Sequence, residues 1–282
     1  MSLVLVTGAA GNVGSHVVRR LAARGVPVRA FVRSSDKKPT GAGVEAFEGD
    51  LADRERLRTA MKGVSKVYML GAGTEVTALE ANVIDAAAAE KVKHLVKHSV
   101  MGAQYEGALI PKWHRASEKR VEASGVPWTF LRPGSFMSNA LGWAGMLKNG
   151  DAVYGPFGDV SLALIDPEDI AAVAEKVLTE SGHEGKAYDL TGSETLTTAE
   201  QVAIVGKVLG RKLSYVNVPD EAARKSMVDM GMPAAYADAM IDLVKMMRGL
   251  GRIEPDATAE KLLGRRPATF EAFVQANAAA FR

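Results

Sequence analysis

The chain has 282 residues, 47% of them apolar, with 35 basic against 33 acidic side chains and a formal charge of +2. That length fits one large α/β domain or two modest ones, and the charge balance supplies no basic field of the kind direct nucleic-acid binding demands. The chain has no cysteine, which excludes disulfides, thiolate nucleophiles and cysteine-bound zinc. The opening Met1-Ser2-Leu3-Val4 lacks the pattern of a secretory signal, and no run of about 18 apolar residues exists for a membrane span. The expectation is a cytoplasmic protein with no membrane partner.

Leu3-Val4-Leu5-Val6 reads as a buried parallel strand. Val13, Val17 and Leu21 then recur at helical spacing and stop near Gly25. Strands are predicted at Val28 to Val32 and Val44 to Phe47, followed by a charged helix over about Asp53 to Met61. A fourth strand is expected at Val67 to Leu70, and Leu79, Val83 and Ala87 mark a helix after it. Leu95-Val96 centres a fifth strand and Trp128 to Leu131 forms a sixth. Ser135 to Gly158 reads as irregular chain with one short helix. A helix follows Asp166-Pro167, Tyr188 to Leu190 is a further strand, and Thr197 to Glu200 opens a helix ending near Gly210. Asp220 to Leu250 is a helical, methionine-rich stretch whose Met227, Met230, Met232, Met240, Met246 and Met247 suit a lobe core or an adaptable groove. Phe270, Phe273, Val274 and Phe281 stripe a final helix.

Strands alternating with helices predict a Rossmann-type doubly wound parallel sheet with a smaller, discontinuous C-terminal substrate lobe. The dinucleotide-binding core is assigned to 1–135, with 160–218 partly returning to it. The mainly helical lobe is assigned to 136–159 and 219–282.

The strongest local signal is Thr7-Gly8-Ala9-Ala10-Gly11-Asn12-Val13-Gly14, a G-x-x-G-x-x-G turn between a strand and a helix. Gly8 permits the tight turn, Gly11 lets a pyrophosphate approach the backbone, and Gly14 lets the helix pack close to the strand. The N–H groups at the helix start can then face phosphate. Glycine turns are common, and it is the strand–turn–helix context that lends this one its meaning.

At the end of the second strand, NAD-specific sites place an acid on the ribose 2′-OH. This chain has Arg33 there, followed by Lys37 and Lys38, with Asp36 too late to serve as that acid. Arg33 would attract a 2′-phosphate and can stack on adenine; a solvated charge cluster is the plain alternative. NADPH is therefore the preferred cofactor, with NADH as the second form. After the third strand, Asp50 suits the adenine amino group, or equally a helix cap.

These features together resemble the short-chain dehydrogenase/reductase superfamily, in its atypical NmrA-like branch, over nearly the whole chain. The likeness rests on Val6 to Gly14, Val32-Arg33, Gly49-Asp50, His114 to Glu118, and Trp128 to Gly134 with Phe136-Met137. It continues through Asp169-Ile170-Ala171 and Gly185 to Gly192. The Leu-Arg-Pro-Gly and Tyr-Asp-Leu-Thr-Gly segments make it specific. Within the branch, the chain resembles NAD(P)H-dependent quinone oxidoreductases and triphenylmethane reductases. The resemblance implies a phosphate loop of Thr7, Gly8, Ala10, Gly11, Asn12 and Val13. It implies 2′-phosphate contacts at Arg33 and Lys37, and an adenine pocket at Asp50 and Leu51. Leu70, Gly71 and Ala72 would line the adenosine ribose and pyrophosphate. Ser99 would lie beside the nicotinamide, which Pro133, Gly134 and Phe136 would flank together with the substrate.

Ordinary members of the superfamily use Tyr-x-x-x-Lys, one helical turn putting both side chains on one face. Here Lys119 is preceded four residues earlier by Arg115. The usual proton donor is thus absent from its slot, and Lys119 reads as a site lysine or as an exposed helix lysine. His114 and Glu118 match the His-x-x-x-Glu of the NmrA-like reductases. His114 can donate a proton or orient a substrate; a helix-face histidine is the alternative. Tyr105 is a candidate displaced acid on the loop after Ser99. Phe136, Trp143, Tyr154 and Phe157 would form an aromatic lid over a flat acceptor, or ordinary core packing. His94 and His98 are four apart, but no carboxylate accompanies them in sequence, so no metal is expected.

The function expected is NAD(P)H-dependent reduction of an electron-poor aromatic acceptor such as a quinone or dye, which takes hydride without a strong acid. The alternative is a non-catalytic NADP(H)-binding redox sensor of the NmrA type, acting through a protein partner.

Overall fold

In a computed structural model of the chain, residues 2–34, 38–105 and 107–282 are described. Its first half runs β1 (Leu3–Val6), α1 (Gly14–Ala23), β2 (Val28–Val32), β3 (Val44–Glu48), α2 (Arg54–Met61), β4 (Val64–Met69), α3 (Val76–Ala89), β5 (His94–His98), α4 (Leu109–Ala123) and β6 (Trp128–Pro133). The remainder opens with α5 (Ala144–Asn149), β7 (Ala152–Gly155), β8 (Ser161–Leu162), α6 (Pro167–Thr179) and β9 (Lys186–Leu190). It continues with β10 (Leu196–Thr197), α7 (Thr198–Leu209), β11 (Ser214–Asn217), α8 (Asp220–Asp229), α9 (Ala234–Leu250), α10 (Ala257–Leu263) and α11 (Phe270–Ala276). Among the described residues, no helix is long and apolar enough to cross a membrane.

The chain divides into two units: 1–106, 111–133 and 167–189 form the first, and 107–110, 134–166 and 190–282 the second. The segment returning to the sheet is thus 167–189, which carries α6 and β9, while 160–166 and 190–218 belong with the second unit.

The first unit holds a seven-stranded sheet in the order β3-β2-β1-β4-β5-β6-β9. Strands β1 to β6 pair in parallel throughout. Short apolar runs such as Leu3-Val4-Leu5-Val6 suit a sheet covered on both faces. On one face, Leu57 of α2, Val83 and Ile84 of α3, and Val121 of α4 pack on Leu5, Val67, Leu95 and Phe130. On the other, α1 packs against α6. Arg20 reaches Glu168 at 2.8 Å and Glu175 at 2.6 Å across that helix pair. The strand order reverses between β1 and β4, which opens a crevice beyond their carboxyl ends.

The second unit has two short sheets, β7 with β11 in parallel and β8 with β10 antiparallel. Its core holds Leu147, Val153, Val205, Val244, Met247, Phe270 and Phe281. Helix α7 begins in a capping box of Thr197 and Glu200 and ends at Gly210, whose φ of +67° suits glycine. The stretch read as helical from Asp220 to Leu250 is two helices, broken at Gly231-Met232-Pro233, where proline starts α9. Met247 enters the core, whereas Met230 is 72% exposed.

Within the first unit, His98 is buried with its Nδ1 2.6 Å from the Tyr68 hydroxyl. Burial, aided by the nearby Lys97 charge, pushes the His98 pKa down to about 3. Burial likewise holds His94 down to about 4, while its Nε2 meets the Thr129 hydroxyl at 2.8 Å. Both rings stay neutral where an unfolded histidine, titrating near 6.5, takes up a proton. The contribution of these two rings to folding stability is therefore fully present above pH 6.5 and is lost as the pH falls toward those lowered values. Urea midpoints should drop between pH 7 and pH 5, and His98→Gln should flatten part of that slope. A midpoint constant over this range would contradict neutral burial of these rings.

Candidate active site

The glycine turn sits where the strand order reverses. Thr7 is fully buried and ties the end of β1 to the end of β4. Its N–H donates to Tyr68 O at 3.0 Å, its hydroxyl donates to Leu70 O at 3.0 Å, and it accepts from Leu70 N–H at 2.8 Å. Gly8 has φ +62°, and a Cβ there would stand 3.1 Å from Leu70 Cδ2. A Cβ on Gly14 would lie 2.1 Å from Gly8 O, so only glycine lets α1 start this close to the turn. The turn closes with Gly11 N–H on Gly8 O at 2.9 Å. Val13 at the N-cap provides no side-chain cap for α1, a start suited to an anion. Ala10, Gly11 and Asn12 are exposed along this turn. A cradle with no room for a Cβ at Gly14 and a left-handed backbone at Gly8 fits a dinucleotide pyrophosphate.

Arg33 follows β2 and is exposed; Lys37 lies outside the described residues. Asp50 accepts from Ala52 N–H at 2.8 Å. The cap of α2 is Asp53, which takes Arg56 N–H at 2.9 Å, so the cap alternative for Asp50 falls to its neighbour. Leu51 packs on the core of the first unit. Leu70 is half-buried and Ala72 exposed at the end of β4. Gly71 is buried, and its N–H donates to Glu80 Oε1 at 3.1 Å.

Two buried polar clusters flank β5; the His114-x-x-x-Glu118 spacing marks one member of each, while their partners Glu80, Lys97 and Arg132 carry no motif. Ser99, just past β5, is 2% exposed and donates to Glu118 Oε1 at 2.6 Å. Glu118 also accepts from Arg132 Nε at 2.8 Å and Nη2 at 2.7 Å, and from Arg115 at 3.1 Å. Although burial opposes ionisation, these donors hold the Glu118 pKa below the usual carboxylate value. The Ser99 proton is thereby committed to Glu118, and the hydroxyl retains acceptor capacity. Arg115, in the slot of the usual tyrosine, also reaches Glu122 at 2.9 Å.

The second cluster lies between β5, α3 and α4. Lys97 is fully buried, with Nζ 2.5 Å from Glu80 Oε2. Ser117 donates to the same carboxylate oxygen. Lys97 Nζ also lies 3.5 Å from His98 O and 3.3 Å from His114 Nδ1. His114 is half-buried, and burial with the Lys97 charge holds its pKa well below 6.5. Lysine offers only donors, so Nδ1 is the acceptor and Nε2 carries the proton of a neutral ring.

Of the predicted catalytic residues, Ser99 and His114 each join a buried network, while Lys119 is exposed on α4. Tyr105 is 79% exposed on a 3-10 turn. Pro133 ends β6 and is buried. The remaining predicted contacts belong to the second unit. Gly134 N–H donates to Leu190 O at 2.9 Å. Phe136 bridges to Ile165. Trp143 and Phe157 pack on that unit's core, and Tyr154 on β7 is 52% exposed.

The strand order, the switch point and the glycine cradle define a Rossmann-type α/β protein. The chain belongs to the NmrA-like family, whose model matches residues 1–274. It is 38% identical over 282 residues to a (4-alkanoyl-5-oxo-2,5-dihydrofuran-3-yl)methyl phosphate reductase of Streptomyces griseus, covering 99% of each chain. It is 36% identical over 289 residues to an NAD(P)H azoreductase of Xenophilus azovorans, again covering 99% of each. An NADPH-dependent quinone oxidoreductase of Escherichia coli, solved with NADPH, superposes with a TM-score of 0.86 at 28% identity, covering 98% of this chain and 99% of that one.

Thr7→Val keeps the volume and removes both side-chain hydrogen bonds to Leu70. Chemical denaturation should show a loss of about 1–3 kcal/mol; an unchanged midpoint would show that Thr7 does not lock β1 to β4.

Proposed function

We propose that this protein is an NAD(P)H-dependent oxidoreductase that reduces an electron-poor acceptor of the quinone, azo or dye class. The observation that carries the reading is the glycine cradle at the strand-order reversal, where Gly14 leaves no space for a Cβ against Gly8 O. The relatives support it, being an azoreductase, a furanone phosphate reductase and a quinone oxidoreductase solved with NADPH.

In this reading Thr7, Gly8, Ala10, Gly11, Asn12, Val13 and Gly14 hold the pyrophosphate, with Leu70, Gly71 and Ala72 along the adenosine side. Asp50 and Leu51 serve the adenine. Arg33, with Lys37, selects the 2′-phosphate and so favours NADPH. Ser99, Pro133, Gly134 and Phe136 seat the nicotinamide, which when bound supplies a hydride from C4. Ser99, its proton held by Glu118, can accept a hydrogen bond from the carboxamide N–H of the nicotinamide. His114 offers its Nε2–H to the acceptor, and Phe136, Trp143 and Tyr154 serve as apolar contacts for it. Tyr105 and Lys119, both exposed, stand as the weakest of the predicted participants.

A second reading, a non-catalytic NADP(H) sensor acting on a protein partner, draws on Arg115. That side chain occupies the tyrosine slot and is engaged by Glu118 and Glu122.

The reductase reading predicts acceptor-dependent oxidation of NADPH at 340 nm with quinones, azo dyes and triarylmethyl dyes. Tight dinucleotide binding without turnover across that panel would favour the sensor. Arg33→Ala should weaken NADPH binding roughly tenfold or more relative to NADH, the scale of one charge-assisted hydrogen bond. Equal losses for both would refute the 2′-phosphate assignment.

A further inference from the structure

Lys97 is an unusual side chain for its place. It lies on β5, a central strand, and is 0% exposed. Strand alternation aims it, like Leu95, at the α3–α4 face, and His98 at the opposite face toward Tyr68. A lysine in such a position is costly to bury and is held there only by its partners. Two of those partners, Glu80 and His98 O, are buried as well. The third, His114 Nδ1 at 3.3 Å, belongs to a half-buried ring. Ser117, Glu80, Lys97 and His114 thus form one hydrogen-bonded chain that runs from the buried Ser117 of α4 through α3 and β5 to the half-buried His114 of the same helix.

We infer that Lys97 is the proton source behind His114: a buried ammonium, held by Glu80, that resupplies the imidazole when His114 protonates the reduced acceptor. This inference rests on the reductase reading. With an azo acceptor, hydride adds to one nitrogen and the N=N π pair moves to the other. That nitrogen takes the proton from His114 Nε2, while Lys97 Nζ passes a proton to Nδ1. The ring remains neutral throughout, in its other tautomer. Water then protonates Nε2, Nδ1 returns its proton to Lys97, and the net consumption is one solvent proton. Lys97 acts through His114 and is a positioning residue, whereas His114 is the group that meets the acceptor. The arrangement answers the missing tyrosine, since the proton is supplied through His114 by a lysine on β5 and not by one on the helix.

The acceptors themselves supply the test. An azo compound needs a hydride and a proton, whereas a triarylmethyl cation takes hydride at its central carbon and needs no proton. Two variants are compared with the native chain. Glu80→Gln with Lys97→Met removes both buried charges together, so neither is stranded. His114→Gln keeps a donor and an acceptor at that position but cannot pass a proton through.

In both variants kcat for the azo acceptor should fall at least tenfold more than kcat for the triarylmethyl cation. Equal losses with the two acceptors would overturn the relay while leaving the reductase reading intact. A native protein that turns over neither acceptor overturns both. A second readout needs no cofactor: 15N spectra of the imidazoles at pH 7. His114 should be neutral with its proton on Nε2, and the double variant should lose that tautomer preference. A His114 proton on Nδ1 in the native protein, or a charged ring, would overturn the inference.

Discussion

Everything at the proposed site depends on how two parallel strands are held together at their carboxyl ends. The chain leaves β1 toward α1 and leaves β4 toward α3, on opposite faces of the sheet. The ends of these neighbouring strands would otherwise expose backbone groups with no ladder partner. Thr7 closes that gap, giving one hydrogen bond to Leu70 and taking another from it. Its fixed position sets Gly8, and Gly8 O in turn sets how near α1 can begin. The crevice is therefore a consequence of strand order, bordered by a turn of three glycines and one buried threonine.

Around that crevice the first unit spends buried charge. Glu80 and Glu118 are both 0% exposed, as is Lys97. Removing one partner of such a pair commonly costs about 3–5 kcal/mol, while an apolar replacement of the whole pair is often neutral. Stability alone therefore does not require these groups. Glu118 orders Ser99, Arg132 and Arg115, fixing the serine hydroxyl in one orientation. Glu80 orders Lys97 and Ser117 and takes the Gly71 N–H, so it links the end of β4 to α4. Each carboxylate joins a helix to strand ends that border the crevice, which accounts for polar groups where apolar packing would serve the fold equally.

Much of this was legible in the sequence. The glycine spacing placed the turn, and short apolar runs placed β1 to β6, because parallel strands covered on both faces have little polar alternation. The strand pairs β7–β11 and β8–β10 were missed: strands of two to four residues carry too little periodicity. The break at Gly231-Met232-Pro233 was available in the sequence as a proline inside a helical pattern. The partners of His114 and Glu118 in the buried clusters were not. Glu80 and Lys97 are 17 residues apart on different elements, and Ser117 lies 37 residues beyond Glu80. A lysine inside the run His94-Leu95-Val96-Lys97-His98 was the available signal. The same run resembles a solvated strand end until the order β4-β5-β6 makes β5 central. His98 and Ser99 then acquire their roles from neighbours, Tyr68 and Glu118, that only the fold supplies.

The central claim is that this chain directs a hydride from the nicotinamide straight to an acceptor carbon or nitrogen. Its most direct test is a single turnover with NADPH deuterated at C4, a triarylmethyl cation as acceptor, and mass analysis of the leuco product. The account predicts deuterium at the central carbon for one of the two C4-labelled stereoisomers and protium for the other. A product that carries no deuterium from either stereoisomer, or no product at all, would contradict it.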